Sequence, residues 1–96
     1  MDFTAEQIAQ LKAKHVEIFK ISVDGKSCLL RKPNRKELGY ASVAGKENPL
    51  MFNELILKSC WLDGDKEIME NDDLFLSVGQ KIGELISVKE AELEKL

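Results

Sequence analysis

The stretch Glu17-Ile18-Phe19-Lys20-Ile21-Ser22-Val23-Asp24-Gly25-Lys26-Ser27-Cys28-Leu29-Leu30-Arg31-Lys32 decides the fold. Asp24-Gly25 is a two-residue turn signal, because a type I′ turn demands positive φ at both central positions. Folding the chain there sets Val23 against Lys26, Ile21 against Cys28, Phe19 against Leu30 and Glu17 against Lys32. One face of the hairpin then carries Phe19, Ile21, Val23, Cys28 and Leu30. The other mixes Ile18, Lys20, Ser22, Ser27, Leu29 and Arg31. The expectation is a one-sided ribbon with a Glu17–Lys32 ion pair at its open end. A lone hairpin is marginal in water, so helices must cover its apolar face.

Those helices are marked by caps. Upstream, Thr4 and Gln7 form a capping box, and Phe3 and Ile8 occupy the positions of a hydrophobic staple. The helix they start carries Ile8 and Leu11 on one face and ends near Lys14. Downstream, Pro33 stops the second strand, and Asn34 with Glu37 caps a helix through Leu38 and Ala41 to about Ala44. Gly45 is placed there as a left-handed terminator. Asn48-Pro49 starts a third helix as N-cap and first helical residue, with Phe52, Leu55, Ile56 and Cys60 on its apolar side. Trp61 and Leu62 are expected at its end, with Gly64 closing it. Residues 65–71 read as a turn or short helix. Asp72 is expected to cap a long last helix with the stripe Leu74, Phe75, Val78, Ile82, Leu85 and Ile86. Ser87 and Glu90 mark either a cap for a separate final helix or part of a continuing one. Residues 89–96 read as a mobile helical tail.

These elements define an α+β fold, one β-hairpin packed against three or four α-helices. A chain of 96 residues fits one domain over 1–96, since a second core would bury too little surface. A hydrophobic fraction of 44% with 32% charged residues is ordinary for a folded chain and argues against disorder. The net charge of −3 argues against a protein built on phosphate neutralisation. No apolar run approaches the ~20 residues of a membrane span, and the N-terminus lacks a signal-peptide layout. A cytoplasmic location is the expectation.

The chemistry-bearing residues are few. Cys28 and Cys60 sit inside apolar patterns and read as small core hydrophobes, with no CxxC or basic flank to favour a reactive thiol or a disulfide. His15, the only histidine, lies at a helix-to-strand junction and reads as a surface or boundary residue. A nucleophilic site would require it beside Cys28 or Cys60. The acidic run Asp63-Gly64-Asp65-Lys66-Glu67 fails as an EF-hand loop, because the sixth and twelfth positions hold Ile68 and Leu74. It reads as a solvated helix-end region. Gly79 and Gly83 form a GxxxG, read as a thin stripe for close packing or for self-association. Arg31, Lys32, Arg35 and Lys36 cluster around Pro33. Phosphate binding there competes with the acidic overall charge and the lack of interleaved aromatics. A helix-turn-helix reading of the second and third helices meets an outer face of only Asn53, Glu54 and Lys58. No catalytic, metal or cofactor site is expected, and neither an enzyme nor nucleic-acid or membrane binding.

The run Arg31-Lys32-Pro33-Asn34-Arg35, followed by Glu47-Asn48-Pro49, Ser59-Cys60 and Gly64-Asp65, resembles the small tail assembly chaperones of long-tailed bacteriophages and related prophages. The resemblance covers roughly Lys20 to Ile86. It implies a non-enzymatic role in a bacterial host cell, coating the tape-measure protein until the tail tube polymerises around it. Leu50, Met51, Trp61, Leu62, Leu93 and Leu96 are the candidate partner-binding residues for such a client. The alternatives are another phage structural adaptor or connector, and a small DNA-binding regulator using the basic cluster.

Overall fold

The computed structural model describes residues 3–15, 17–86 and 91–96. In chain order they form α1 (Ala5–Lys14), β1 (Ile18–Val23), β2 (Lys26–Arg31), α2 (Arg35–Gly45), α3 (Pro49–Cys60), β3 (Trp61–Gly64), α4 (Glu67–Glu70), α5 (Asp72–Gly79) and α6 (Ile82–Leu85). This is a small α+β fold.

The hairpin forms in the expected register, with Phe19 opposite Leu30, Ile21 opposite Cys28 and Val23 opposite Lys26. Asp24 and Gly25 take φ of 50° and 74°, the left-handed pair that a type I′ turn requires. The ladder stops at Ile18 and Arg31, one residue short of the expected Glu17–Lys32 pair. At that end the ion pair is made instead by Arg31 with Glu37.

A third strand was not legible. Trp61 to Gly64 do not finish α3. They turn directly into β3, antiparallel to β2, giving the order β1-β2-β3. Leu30 pairs with Trp61, Leu29 with Asp63 and Cys28 with Gly64, and the register shifts between Leu29 and Leu30 so that Leu62 is the extra residue. Gly64 has φ +150°, and a methyl group there would lie 2.6 Å from the Cys28 Cα. Only glycine lets β3 approach β2 this closely. Asp65 fastens the strand end: its carboxylate Oδ2 accepts from the Ser27 N–H at 2.9 Å, and its own N–H donates to the Ser27 carbonyl at 3.0 Å.

The sheet is two-sided, which corrects the one-sided ribbon. Cys28 and Leu30 join Ala41, Ile56, Leu57, Cys60, Ile68, Val78, Ile82 and Leu85 in the main core, with Phe19, Ile21 and Trp61 packed against it. Leu29, on the opposite face, stands outside that cluster and is still only 2% exposed. That face also carries Lys20, whose Nζ lies 5.9 Å from the Phe3 ring, and α1 packs against β1. The half-buried Phe3, just ahead of α1, and Ile8 and Leu11 of α1 thus give the sheet a second, smaller apolar layer.

The helix caps follow the expected chemistry. Thr4 Oγ1 accepts from the Gln7 N–H at 3.1 Å while Gln7 Oε1 accepts from the Thr4 N–H at 2.9 Å. Asn34 and Glu37 repeat the box at α2, and Asn48 with Pro49 opens α3. Gly45 is not a left-handed terminator. It belongs to α2, and its bare Cα faces Phe52, whose Cβ would be 2.9 Å from an added methyl group, so glycine here lets α2 and α3 close together. The expected long last helix is broken. Asn71, not Asp72, caps α5 through Oδ1 accepting from the Leu74 N–H at 3.1 Å, and the chain turns at Gln80 and Lys81 before α6. The Ser87–Glu90 cap lies outside the described residues. The helical tail expected over 89–96 is not seen in its described part, since 91–96 carry no helix.

Candidate functional site

The sheet has two outer edges, β1 and β3, and among the described residues neither pairs with a further strand. Because Val23 and Lys26 close a two-residue turn as a hydrogen-bonded pair, pairs alternate along the hairpin. The backbone groups of Ile18, Lys20 and Ser22 therefore point away from β2. Among the described residues no strand covers that edge.

A groove of ≈ 350 Å³ opens along it, lined by Phe19, Lys20, Ile21 and Ser22 of β1 and by Lys81, Glu84 and Leu85 at α6. Its floor is apolar: Leu85 is buried, and Phe19 and Ile21 are half-buried and packed on the core. The groove continues past Ile18 and Glu17 to Lys12 of α1 and Lys32, sharing Phe19, Glu84 and Leu85 with the first part. Beyond Glu17 and Lys32 it reaches Lys14 and His15. One open strand edge is thus bracketed by α6 on one side and α1 on the other. Its rim carries Lys12, Lys14, Lys20, Lys32 and Lys81 against Glu17 and Glu84, a cationic strip on a chain of net charge −3. Lys81 leans on Glu84 at 3.5 Å, both exposed, so this pair neutralises little.

The six residues singled out from sequence do not make one surface. Leu50 and Met51 are 50% and 38% exposed at the start of α3. Trp61 and Leu62 follow its other end, about 16 Å away at 1.5 Å per residue. Both are half-buried: Trp61 packs on the core and Leu62 sits at the bulge of β3. Leu93 and Leu96 stand wholly in solvent. None of the six lines the groove. Sequence reasoning missed Tyr40 and Val43, about 70% exposed on α2, and it missed the groove itself. The sequence showed only that the first strand carries Lys20 between Phe19 and Ile21; that its far side has no partner comes from the sheet order.

The remaining candidates resolve as structure. Cys28 and Cys60 are free and buried in the core, and burial pushes both thiols up to about 11. His15 ends α1, its N–H donating to the Leu11 carbonyl at 2.9 Å, and it lies outside the core cluster that holds the thiols. Arg31 is withdrawn from the basic cluster. Its Nη1 and Nη2 donate to Glu37 Oε1 and Oε2 at 2.8 and 2.6 Å, and Nη2 also donates to the Ser59 carbonyl at 2.6 Å. Only Lys32, Arg35 and Lys36 of that cluster are exposed. On α3, Glu54 pairs with Lys58 at 3.1 Å, and Asn53 faces Gly79, so this face is not an open recognition surface. The GxxxG stripe does not exist: Gly79 ends α5 against Asn53, whereas Gly83 lies in α6 with open space around it. Among the described residues no group of acidic, cysteine or histidine side chains is arranged to hold a metal ion, and no helix is long and apolar enough to cross a membrane.

No family model, curated protein or solved structure matches the chain.

Proposed function

We propose that this chain is a non-enzymatic protein-binding domain that receives an extended segment of a client along β1. The observation that carries this reading is the uncovered β1 edge, set in a groove with an apolar floor and a lysine rim. An edge strand supplies main-chain hydrogen bonds to any extended peptide, and flanking pockets for alternate side chains supply selectivity. The floor of Phe19, Ile21 and Leu85 takes apolar side chains, and the lysines favour acidic neighbours. The resemblance around Arg31–Asn34, Asn48-Pro49 and Gly64-Asp65 makes the particular role that of a phage or prophage tail assembly chaperone, with the tape-measure protein as client.

The test is capture of the tagged chain from cells producing the corresponding phage, with bound proteins identified by mass spectrometry. Recovery of the tape-measure protein, lost on Lys20→Glu with Lys81→Glu, supports both the role and the surface. Recovery of head–tail connector proteins instead replaces the chaperone with a structural adaptor. Recovery of DNA with a steep salt dependence replaces it with a regulator.

A further inference from the structure

The described tail Ala91–Leu96 carries no helix or strand, and its two leucines, Leu93 and Leu96, are 101% and 107% exposed. Both leucines pack on nothing in their own chain. The segment reads Ala91-Glu92-Leu93-Glu94-Lys95-Leu96. In an extended conformation Ala91, Leu93 and Lys95 fall on one face, and Glu92, Glu94 and Leu96 on the other. Over Ala91–Glu94 the β1 groove has the complementary layout. On one side of the strand lie Phe19, Ile21 and Leu85; on the other lies Lys20, with Lys12 of α1 further along.

We propose that Ala91–Leu96 of a second copy of this chain adds as a strand to the open edge of β1. Leu93 enters the apolar floor over Phe19, Ile21 and Leu85, while Glu92 and Glu94 lie along the lysines. The backbone groups of Ile18, Lys20 and Ser22 receive the new strand. Charge selects this occupant: the rim is cationic and the segment acidic, on a protein whose overall charge would otherwise drive two copies apart. Within one chain the segment stands clear of its own groove, with both leucines in solvent, so the partner is another copy. Each copy offers one tail and one groove, so a reciprocal exchange closes as a two-fold dimer and leaves no unsatisfied site. The association stands whether or not a foreign client also uses the groove. Where one does, tail and client compete.

Sedimentation equilibrium of the full chain across a wide concentration range tests this. The expected result is a monomer–dimer equilibrium that weakens with salt. A chain ending at Ile86 is expected to be monomeric. Lys20→Glu, at an exposed position, is expected to weaken the dimer by about tenfold or more, and so is Glu92→Lys combined with Glu94→Lys. Lys20→Glu joined to Glu92→Lys and Glu94→Lys in one chain is expected to restore association, which a merely damaged fold would not do. A full chain that stays monomeric throughout overturns the proposal. So does a dimer that survives loss of the tail. A monomer whose Lys20 and Ser22 amides are protected from hydrogen exchange only when the tail is present also overturns it, since the tail would then fill its own groove.

Discussion

Arg31, the last residue of β2, grips Glu37 in the first turn of α2 through two parallel hydrogen bonds of 2.8 and 2.6 Å. Glu37 is at the same time the return half of the α2 capping box, its Oε1 accepting from the Asn34 N–H at 3.0 Å. With its second Nη2 bond to the Ser59 carbonyl at 2.6 Å, Arg31 joins the sheet, the start of α2 and the end of α3 at one point. A bidentate fork of this kind fixes orientation as well as distance, which a lysine at this position would not do.

The acid dependence of stability follows from that pair. The Arg31 hydrogen bonds pull the Glu37 carboxyl from an ordinary value of 4.5 down to about 2. A depressed folded pKa means stability that is present above the ordinary value and lost as pH falls from there towards 2. The two side chains are about a quarter and a fifth exposed, so partial solvation leaves roughly 2 kcal/mol of this contribution. Urea midpoints measured between pH 7 and pH 2 should fall through this window, and Glu37→Gln should flatten that part of the curve.

Gly64→Ala is expected to be costly at a position that looks like a harmless loop. The added methyl group meets backbone and side chain of Cys28 at 2.6 to 2.7 Å, on a residue with φ +150°. Strain and displacement together should cost about 2–4 kcal/mol. Denaturant unfolding measures the loss, and Gly83→Ala, with open space around it, is the matched control.

Leu29 tests the second apolar layer. A one-sided ribbon would leave it exposed, and its replacement by alanine would then be nearly neutral. At 2% exposure Leu29→Ala should instead cost about 2–4 kcal/mol, in the range expected for Leu30→Ala on the main core. Equal unfolding midpoints for wild type and Leu29→Ala would show that α1 does not hold that face.

The two thiols should be silent in the folded protein. Burial raises both to about 11, so little thiolate exists at pH 8, and neither sulfur is accessible. Reaction with a disulfide reagent at pH 8 should be slower than in denaturant by about two orders of magnitude or more. Two equivalents should react once the chain is unfolded.

What the sequence made legible was local. The Asp24-Gly25 turn, both capping boxes and the Asn48-Pro49 start each depend on residues within four positions of one another, and all are present. What escaped depends on distant neighbours. Trp61 and Leu62 continue an apolar helical pattern, and only the approach of Cys28 to Gly64 and the Ser27–Asp65 bonds turn that stretch into a strand. The stripe from Leu74 to Ile86 keeps helical spacing across the turn at Gln80, so periodicity could not register the break. Arg31 looked like one cation among four because its partner, Glu37, was already spoken for as a cap. The groove was hidden for a related reason, since spacing along the chain does not say which sheet edge stays open.

The place of β3 beside β2 also sets an order of events. Everything from Lys32 to Cys60, including the whole α2–α3 hairpin, is strung between the two strands. β1 and β2 meet across a two-residue turn and close a short loop, whereas Trp61 reaches Leu30 only after that long segment has been shortened by coiling into two packed helices. The sheet is therefore completed last by its middle strand's second partner. A nascent chain that has not yet packed α2 on α3 has an open edge on both sides of its hairpin, and it closes one of them only when its helices are in place.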